Sequence, residues 1–178
     1  MSDDLPLLLP DGPDAAQRLA GPVARALARN RAHMRPCEPD RPELFYTAEG
    51  QAVRLAPDPT TRRWHFHAGT RIVGGLTLSG IALGPFRSAQ LGYWIDAEFT
   101  GRGLATRAVE EVCRAAREDL GLHRVEADTL LDNAASQRVL AKCGFERIGM
   151  APKYLHINGA WRDHLLFQRI LHDDPPPL

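Results

Sequence analysis

The sequence predicts an α+β domain in which helices cover the faces of a mostly antiparallel sheet. An alanine-rich segment with helical spacing near the N-terminus is followed by short strands separated by turns. The second half then alternates strand, helix, strand, helix and strand. A chain of 178 residues can bury a substantial core in one domain. We therefore expect a single domain over residues 1–172 and a disordered, proline-rich tail over residues 173–178.

The N-terminal half is predicted to hold one helix and several strands. Small and apolar residues at helical spacing predict a helix over residues 14–28, which Gly21 and Pro22 should kink or split. Three prolines between residues 30 and 42 indicate a loop. A turn at Gly69 and Thr70 indicates an antiparallel hairpin. The strands predicted in this half cover residues 5–9, 64–67, 71–78 and 89–95.

The C-terminal half contains the clearest periodicity. An apolar stripe predicts a long helix over residues 101–120. A strand over residues 125–130 and a shorter helix over residues 133–142, ended by Gly144, should follow. The closing strands are predicted at residues 145–150, 154–157 and 163–170.

Composition excludes several classes of function. Basic and acidic residues both number 22, which argues against a nucleic-acid partner bound by phosphate neutralisation. No apolar stretch is as long as a membrane span, and the short N-terminal one is interrupted by Pro6 and preceded by Asp3 and Asp4, unlike a signal peptide. The three cysteines lack paired spacing and suit reduced thiols. We expect a cytoplasmic protein with no nucleic-acid or membrane partner; composition leaves its oligomeric state open.

The most informative segment joins a predicted strand to the longest predicted helix. From Gly92 it reads GYWIDAEFTGRGLAT. Backbone N–H groups at a helix start have no intrahelical partner and lie at the positive end of the helix dipole, so they bind phosphate well. Gly101 and Gly103 would let the backbone approach a ligand closely, and Arg102 adds a positive charge. The alternative is a simple tight turn, since the segment matches neither a P-loop nor the dinucleotide fingerprint.

This segment is similar to the acyl-CoA loop of the GNAT superfamily of N-acetyltransferases, whose pattern is Gln/Arg-x-x-Gly-x-Gly/Ala. Thr100 takes the first position of the pattern, Gly103 the glycine and Ala105 the last small residue. Threonine departs from the usual glutamine or arginine, and the ribosomal-protein acetyltransferase branch commonly shares this departure.

Other motifs resemble that branch, the RimJ and RimL type. Gly92-Tyr93-Trp94 precedes the loop, and Asn133-x-x-Ser136 is followed by Gly-Phe at residues 144–145. The segments PCEP at residues 36–39 and YLHINGAWRDH at residues 154–164 resemble the RimJ type, which acetylates the N-terminal alanine of a ribosomal protein. The branch usually has tryptophan where this chain has Cys37. The resemblance spans residues 30–170 and implies a GNAT fold with a twisted sheet, acetyl-CoA as co-substrate and a protein N-terminus as acceptor.

The resemblance also assigns the acetyl-CoA site. The strand before the loop is expected to splay and to bind the pantetheine arm through its backbone, while the loop holds the pyrophosphate. The alternative for Asn133 is a helix cap, and the side chains of Tyr93 and Trp94 are more typical of core packing. The residues predicted to bind acetyl-CoA are Trp94, Ile95, Thr100, Gly101, Arg102, Gly103, Leu104, Ala105, Thr106 and Asn133.

Acetyl transfer also needs a neutral amine and a proton for the departing thiolate. An α-amine with a pKa near 8 is roughly a tenth neutral at pH 7, so it needs less help from a general base than the side chain of lysine does. Glu126, which alternates with Arg124 and Asp128 on one strand face, is the predicted general base; the alternative is an ion pair with an arginine. Many GNAT enzymes use a tyrosine as the acid, but Leu140 stands at that position here. The resemblance therefore implies Ser136 as the acid, with a helix cap as the alternative.

The predicted function is direct transfer of an acetyl group from acetyl-CoA to a primary amine, in particular an N-terminal alanine, within a ternary complex. No metal site is predicted, because His65 and His67 share a strand face without a third ligand. Two alternatives stay open. In the first, the acceptor is a small amine such as a polyamine or an antibiotic. In the second, the protein is a catalytically silent CoA-binding module, and the leucine at position 140 favours this second alternative.

Overall fold

The computed structural model describes residues 5–176, and within them a seven-stranded sheet separates two layers of helices. The sheet order is β1-β2-β3-β4-β5-β7-β6, and every neighbouring pair is antiparallel except β4 and β5. This confirms the predicted α+β class. The strands are β1 (Leu7–Pro10), β2 (Arg62–Ala68), β3 (Arg71–Ala82), β4 (Ser88–Ile95), β5 (Arg124–Leu130), β6 (Glu146–Ile157) and β7 (Ala160–Ile170). The α-helices are α1 (Ala15–Met34), α2 (Ala48–Leu55), α3 (Leu104–Glu118) and α4 (Ala134–Lys142).

Helix α1 differs from the prediction at both Pro22 and its C-terminal end. Pro22 lies inside a continuous 20-residue helix, and residues 30–34, predicted as loop, belong to it. Proline removes one backbone hydrogen bond, but the helix buries an apolar stripe against the sheet, which outweighs that loss. The stripe consists of Ala20, Val23, Ala24, Ala26, Leu27 and Met34.

Helix α2 was not predicted. It is only eight residues long, and its N-cap Thr47 accepts a hydrogen bond from the backbone N–H of Gly50 at 3.1 Å. Gly50 fits because a Cβ there would lie 1.9 Å from the carbonyl oxygen of Leu44. A short helix stabilised by one cap and by tertiary packing leaves little periodic signal in the sequence.

The sheet has a core on each face. On one face, α3 and α4 pack on residues of β2 to β5 and β7, with Phe66, Val109, Val112 and Val125 fully buried. On the other face, α1 and α2 pack on Ile72 of β3 and on the side chain of Trp94. Side chains alternate faces along a strand, so each residue of the central strands belongs to one layer or the other.

The C-terminal strands are longer than predicted. The two segments expected at residues 145–150 and 154–157 form one strand, β6, with register shifts between Arg147 and Gly149 and between Ala151 and Leu155. These bulges break the alternation on which the prediction relied. Residues 171–176 have no regular secondary structure, and the predicted tail ends at residues 177–178, outside the described part. None of the helices in residues 5–176 has the length and apolar content needed to cross a membrane.

Candidate active site

Strands β4 and β5 form a wedge at the centre of the sheet. Their parallel pairing covers only residues 88–90 of β4 and 124–126 of β5, although both strands continue beyond it. From there, residues 91–95 and 127–130 diverge, and the facing backbone edges have no ladder partner in the described structure. A strand edge with free N–H and C=O groups can bind an extended, amide-containing ligand. The predicted splay before the loop is therefore present.

Backbone alternation decides which residues of β4 face the wedge. The N–H of Asp96 donates to the carbonyl of Val73 on β3 at 2.9 Å. Because backbone groups alternate sides along a strand, those of Trp94 also point to β3, whereas those of Tyr93 and Ile95 point into the wedge. The backbone of Trp94, predicted to bind the pantetheine arm, is thus paired with β3, and the free edge of β4 belongs to Tyr93 and Ile95.

The loop at the wide end of the wedge leads directly into helix α3. Gly101 and Gly103 both have left-handed backbones, with φ values of 74° and 75°. Gly103 is the N-cap of α3, and the first intrahelical hydrogen bond runs from Arg107 N–H to the Gly103 carbonyl at 3.1 Å. The N–H groups of Leu104, Ala105 and Thr106 precede that bond and lack intrahelical partners, as an anion site at a helix start requires.

Two polar side chains of this loop are engaged within it. The Thr100 hydroxyl donates to the carbonyl of Ala97 at 3.0 Å. Arg102 donates to the carbonyl of Glu98 at 3.0 Å, and its guanidinium lies 4.8 Å from the centre of the Phe99 ring. The loop therefore presents mainly backbone to a ligand, with the positive charge of Arg102 nearby.

Helix α1 fixes the start of this loop. Arg29 donates to the fully buried Asp96 carboxylate at 2.6 Å, and the Asn30 side chain accepts from the N–H of Ala97 at 2.9 Å. Burial alone would raise the pKa of Asp96, but the hydrogen bonds and charge around it, including those of Arg29, outweigh burial and lower the pKa to about 2. Asp96 is thus ionised at neutral pH and holds the end of β4 to α1.

Ser136 lies on the α3–α4 side of the wedge and is bonded across to β4. Its Oγ is 2.6 Å from the phenol oxygen of Tyr93. The N-cap of α4 is Asn133, whose Oδ1 accepts the N–H of Ser136 at 3.1 Å, so the Ser136 hydroxyl does not cap the helix. Burial raises the pKa of Tyr93 to about 12, which keeps the phenol protonated at neutral pH. Leu140 is fully buried in the core.

On the opposite face of the sheet, β5 carries two carboxylates in different surroundings. Glu126 forms an ion pair with Arg124, two residues away on the same strand. Asp128 lies further along, in the part of β5 that borders the wedge, where Gln90 of β4 donates to its Oδ2 at 2.8 Å. The arginine alternative raised for Glu126 thus has a structural basis, and its catalytic role stays a prediction.

Asp128 is paired with a buried histidine. His164 Nε2 on β7 lies 3.6 Å from Asp128 Oδ1, and the side chain of His164 is 3% exposed. Its Nδ1 lies 3.1 Å from the Arg162 carbonyl, which can only accept, so Nδ1 carries a hydrogen. Burial raises the pKa of Asp128, against the lowering effects of His164 and of the Gln90 hydrogen bond. Tyr154 packs on the His164 ring at 5.5 Å between centroids. Asp128 was visible in the strand alternation, but nothing in the sequence pairs it with His164.

The connection from α1 to α2 meets the β6–β7 hairpin beyond this cluster. Pro39 forms an isolated antiparallel bridge with Ile157, and the N–H of Gly159 donates to the Asp40 carboxylate at 3.2 Å. The connection and the hairpin therefore frame the side of the wedge on which Asp128 and His164 lie.

The remaining candidate groups do not converge on the wedge. His65 is buried, and its Nδ1 lies 2.7 Å from Asp11. Within residues 5–176, no three histidine, cysteine or acidic side chains are grouped so as to hold a metal ion. The three cysteines are free thiols, and burial raises the pKa of Cys113 to about 12 and that of Cys143 to about 11.

The splayed central strands, the glycine loop and the helix start with free N–H groups together define an acyltransferase of the GNAT type. The acetyltransferase (GNAT) domain family matches residues 16–146. The chain belongs to this family, and the resemblance seen in the sequence is confirmed.

Individual relatives agree with this assignment. The chain is 32% identical to the ribosomal protein uS5-alanine N-acetyltransferase of Escherichia coli K12 over 155 residues, which are 81% of this chain and 78% of that protein. The structure of the ribosomal-protein-S5-alanine acetyltransferase from Vibrio fischeri superposes with a TM-score of 0.86 at 32% identity, covering 99% of this chain and 98% of that one. Mycobacterium smegmatis RimJ, in complex with CoA-disulfide, superposes with a TM-score of 0.80 at 28% identity, over 92% and 80% of the two chains.

Proposed function

We propose that this protein transfers the acetyl group of acetyl-CoA directly to the N-terminal α-amine of a protein, in particular an N-terminal alanine of a ribosomal protein. The observation that carries the proposal is the wedge between β4 and β5, which opens beside the start of α3 on one side and beside Asp128 and His164 on the other. Both uS5-alanine acetyltransferases named above are named for an alanine of a ribosomal protein, and M. smegmatis RimJ forms a complex with CoA-disulfide. The reaction would take place in the cytoplasm, where ribosomal proteins are available.

The acetyl-CoA would lie along the wedge with its pyrophosphate at the start of α3. Backbone N–H groups of residues 103–106 and the charge of Arg102 would bind the pyrophosphate. The free backbone edge of Tyr93 and Ile95 would pair with the amides of the pantetheine arm. An N–H of the same edge is suited to stabilise the oxyanion that forms at the thioester carbon.

The acceptor amine must lose a proton before or during its attack. Asp128 is better placed for this than Glu126, because it borders the wedge and is not neutralised by an arginine. Its burial raises its pKa and so makes it a stronger base than an exposed carboxylate. In the neutral form of its ring, His164 can accept the proton next at Nε2, which lies 3.6 Å from Asp128 Oδ1. Glu126 acting through a water molecule is the alternative base.

The departing sulfur would be protonated or hydrogen-bonded by Ser136. Tyr93, which stays protonated at neutral pH, can donate to Ser136 Oγ as the serine donates to the sulfur. A covalent acetyl-cysteine intermediate is disfavoured, since burial raises the pKa of the Cys37, Cys113 and Cys143 thiols and the thiolate is the nucleophilic form. Both substrates must therefore be bound together.

We expect Ser136→Ala to lower kcat by about tenfold to a hundredfold with little change in KM for acetyl-CoA. A positioned acid contributes about 10²-fold or more, and the low pKa of the CoA thiol places the effect at or below that end. Steady-state kinetics measures the loss, and a thermal melt should show a stable protein because Asn133, not Ser136, caps α4. A folded variant with kcat within about twofold of the wild type would assign the proton to another group.

The proposed function itself is tested with matched peptides. The enzyme is incubated with acetyl-CoA and an alanine-initiated peptide containing one lysine, or with the same peptide blocked at its N-terminus. We expect release of CoA thiol with the first peptide only, acetylation of its α-amine by mass spectrometry, and initial-rate lines that intersect. Turnover of spermidine without turnover of the peptide would instead favour a small-amine acceptor. Binding of acetyl-CoA with no turnover of any amine would favour the silent module.

A further inference from the structure

Three arginines, Arg41, Arg54 and Arg63, form an arginine cluster near the end of α2. The guanidinium carbons of Arg41 and Arg54 lie 4.9 Å and 4.5 Å from the centre of the Phe45 ring. Desolvation, and after it the positive charges of Arg41 and Arg63, lower the pKa of Arg54, so Arg63 is near Arg54 as well. The ion pairs within residues 5–176 involve other arginines, so the cluster has no acidic partner there.

The acids near the arginine cluster do not neutralise it. Glu38 acts through its charge on the two arginines stacked on Phe45, but in the described part of the chain it forms an ion pair with neither. Asp11 and Asp58, whose charges act on Arg63, are already engaged by other side chains. Like charges held together repel one another, so an anion from outside the chain would relieve a repulsion that the free protein carries.

A row of residues across the sheet connects the arginine cluster to the proposed active site. Arg63 of β2 pairs with Thr77 of β3, which pairs with Gly92 of β4. The parallel register of β4 and β5, continued beyond its last bonded pair, places Gly92 opposite Asp128 across the wedge. Residues paired across neighbouring strands share a face of the sheet, so the row and Asp128 lie on the same face.

The middle of this row is open to solvent. Thr77 is half-buried and Gly92 is exposed, and a Cβ at position 92 would meet no atom within 4 Å. Two strand spacings, about 10 Å, separate Gly92 from Arg63. An extended peptide rises about 3.3 Å per residue. A peptide whose α-amine lies at Asp128 therefore reaches the arginine cluster with its fourth or fifth residue.

We propose that the arginine cluster binds an acidic side chain at the fourth or fifth residue of the acceptor protein. The inference rests on the proposed function and adds a sequence preference to it. A carboxylate accepts charge-assisted, often bidentate hydrogen bonds from guanidinium groups. The acceptor itself fits this position better than RNA does, because RNA needs a longer basic stripe, and Glu38 and Asp58 border the cluster.

The test uses alanine-initiated peptides that are neutral apart from one glutamate, placed at each position from 2 to 7, and matched peptides with glutamine instead. At pH 7 we expect glutamate at position 4 or 5 to lower the KM of the peptide about three- to tenfold relative to glutamine, the range for a charge-assisted contact at a partly exposed site. The kcat value should change by less than about twofold, because a contact remote from the reacting atoms is equal in the ground state and the transition state.

Variants of the arginine cluster show whether it is the source of this preference. Arg54→Gln and Arg63→Gln should each bring the KM values for glutamate and glutamine peptides within about twofold of each other. Arg54→Glu should reverse the preference and favour arginine over glutamate at the same peptide position, which a merely structural role would not produce. Arg117→Gln is the matched control, since Arg117 is an exposed arginine of α3, on the other face of the sheet. This variant should keep the wild-type preference.

The outcomes separate this inference from the proposed function. Equal KM values for both peptide sets at every position, or a preference that survives both glutamine variants, would overturn the inference and leave the proposed function intact. A loss of affinity for an RNA oligonucleotide in Arg54→Gln, with an unchanged glutamate preference, would also overturn it and make the cluster an RNA contact. Failure of the wild type to acetylate any of the peptides, the glutamine set included, would overturn the proposed function and the inference with it.

Discussion

We expect Gly103→Glu to abolish acetyl-CoA binding, with an affinity at least about a hundredfold weaker than that of the wild type. Gly103 has a φ of 75° and is the N-cap of α3, so a glutamate there places a carboxylate beside the N–H groups that would bind the pyrophosphate. The glutamate carboxylate would repel the negatively charged pyrophosphate bound next to it. A hundredfold loss of affinity corresponds to about 3 kcal/mol. Isothermal titration of the folded variant with acetyl-CoA measures the effect.

Two controls separate the charge from the backbone strain of a non-glycine residue at positive φ. Gly103→Ala introduces the same strain, which costs about 1 kcal/mol, without the charge. Gly80→Glu introduces strain and charge at a φ of 60°, near the end of β3 that lies away from the loop, where a Cβ meets no atom within 4 Å. We expect Gly80→Glu to bind normally and Gly103→Ala to lose much less affinity than Gly103→Glu. Normal binding by Gly103→Glu would remove the loop from the acetyl-CoA site.

We expect Asp128→Asn to lower kcat/KM for the acceptor peptide by about a hundredfold at pH 7. Asparagine preserves the shape of the side chain and its contact with Gln90 but cannot take a proton, and a positioned base contributes about 10²- to 10⁴-fold. The deficit should shrink as the pH rises toward 9, since the α-amine, with a pKa near 8, then loses its proton to solvent. The wild-type rate should instead fall at low pH, because Asp128 becomes protonated. Burial raises the pKa of Asp128, so this fall should begin at a higher pH than for an exposed aspartate. The titratable groups that face Asp128 are His164 of β7 and Tyr154 of β6.

Glu126→Gln is the matched control, because it makes the same chemical change two residues away on the same face of β5. It removes an ion pair with Arg124, so the variant should keep its activity and lose only a little stability. Peptide acetylation is measured for both variants from pH 6 to pH 9. A large loss for Glu126→Gln with near-normal activity for Asp128→Asn would return the base to Glu126.

The segment proposed to bind acetyl-CoA was recognisable in the sequence because it is local. The end of β4, the loop and the start of α3 occupy one continuous segment, and two glycines before an amphipathic helix specify its geometry. The surroundings of the proposed base, Asp128, could not be predicted in this way. Asp128, Gln90 and His164 come from three strands whose pairing and register follow only from the folded sheet. The Tyr93–Ser136 contact likewise joins residues 43 positions apart.

The same distinction explains the errors in the helices. Pro22 carries a strong local signal against helix, and residues 30–34 lie in a stretch close to two prolines. Burial of Val23, Leu27 and Met34 overrides that signal. Their burial depends on strands that are distant in the sequence, so the segment alone does not reveal it.

Helix α1 also bears on how such an enzyme can change its acceptor in evolution. Arg29 and Asn30 hold the entry of the glycine loop, and one turn later the same helix ends and releases the connection that meets the β6–β7 hairpin through Pro39 and Asp40. A mutation that shifts α1 to reshape the acceptor side therefore also displaces the loop for the shared acetyl donor. We therefore expect changes of acceptor to arise in residues 35–42 and in the β6–β7 hairpin more readily than in α1 itself. Enzymes of this kind can in this way change their acceptor while keeping the same acetyl donor.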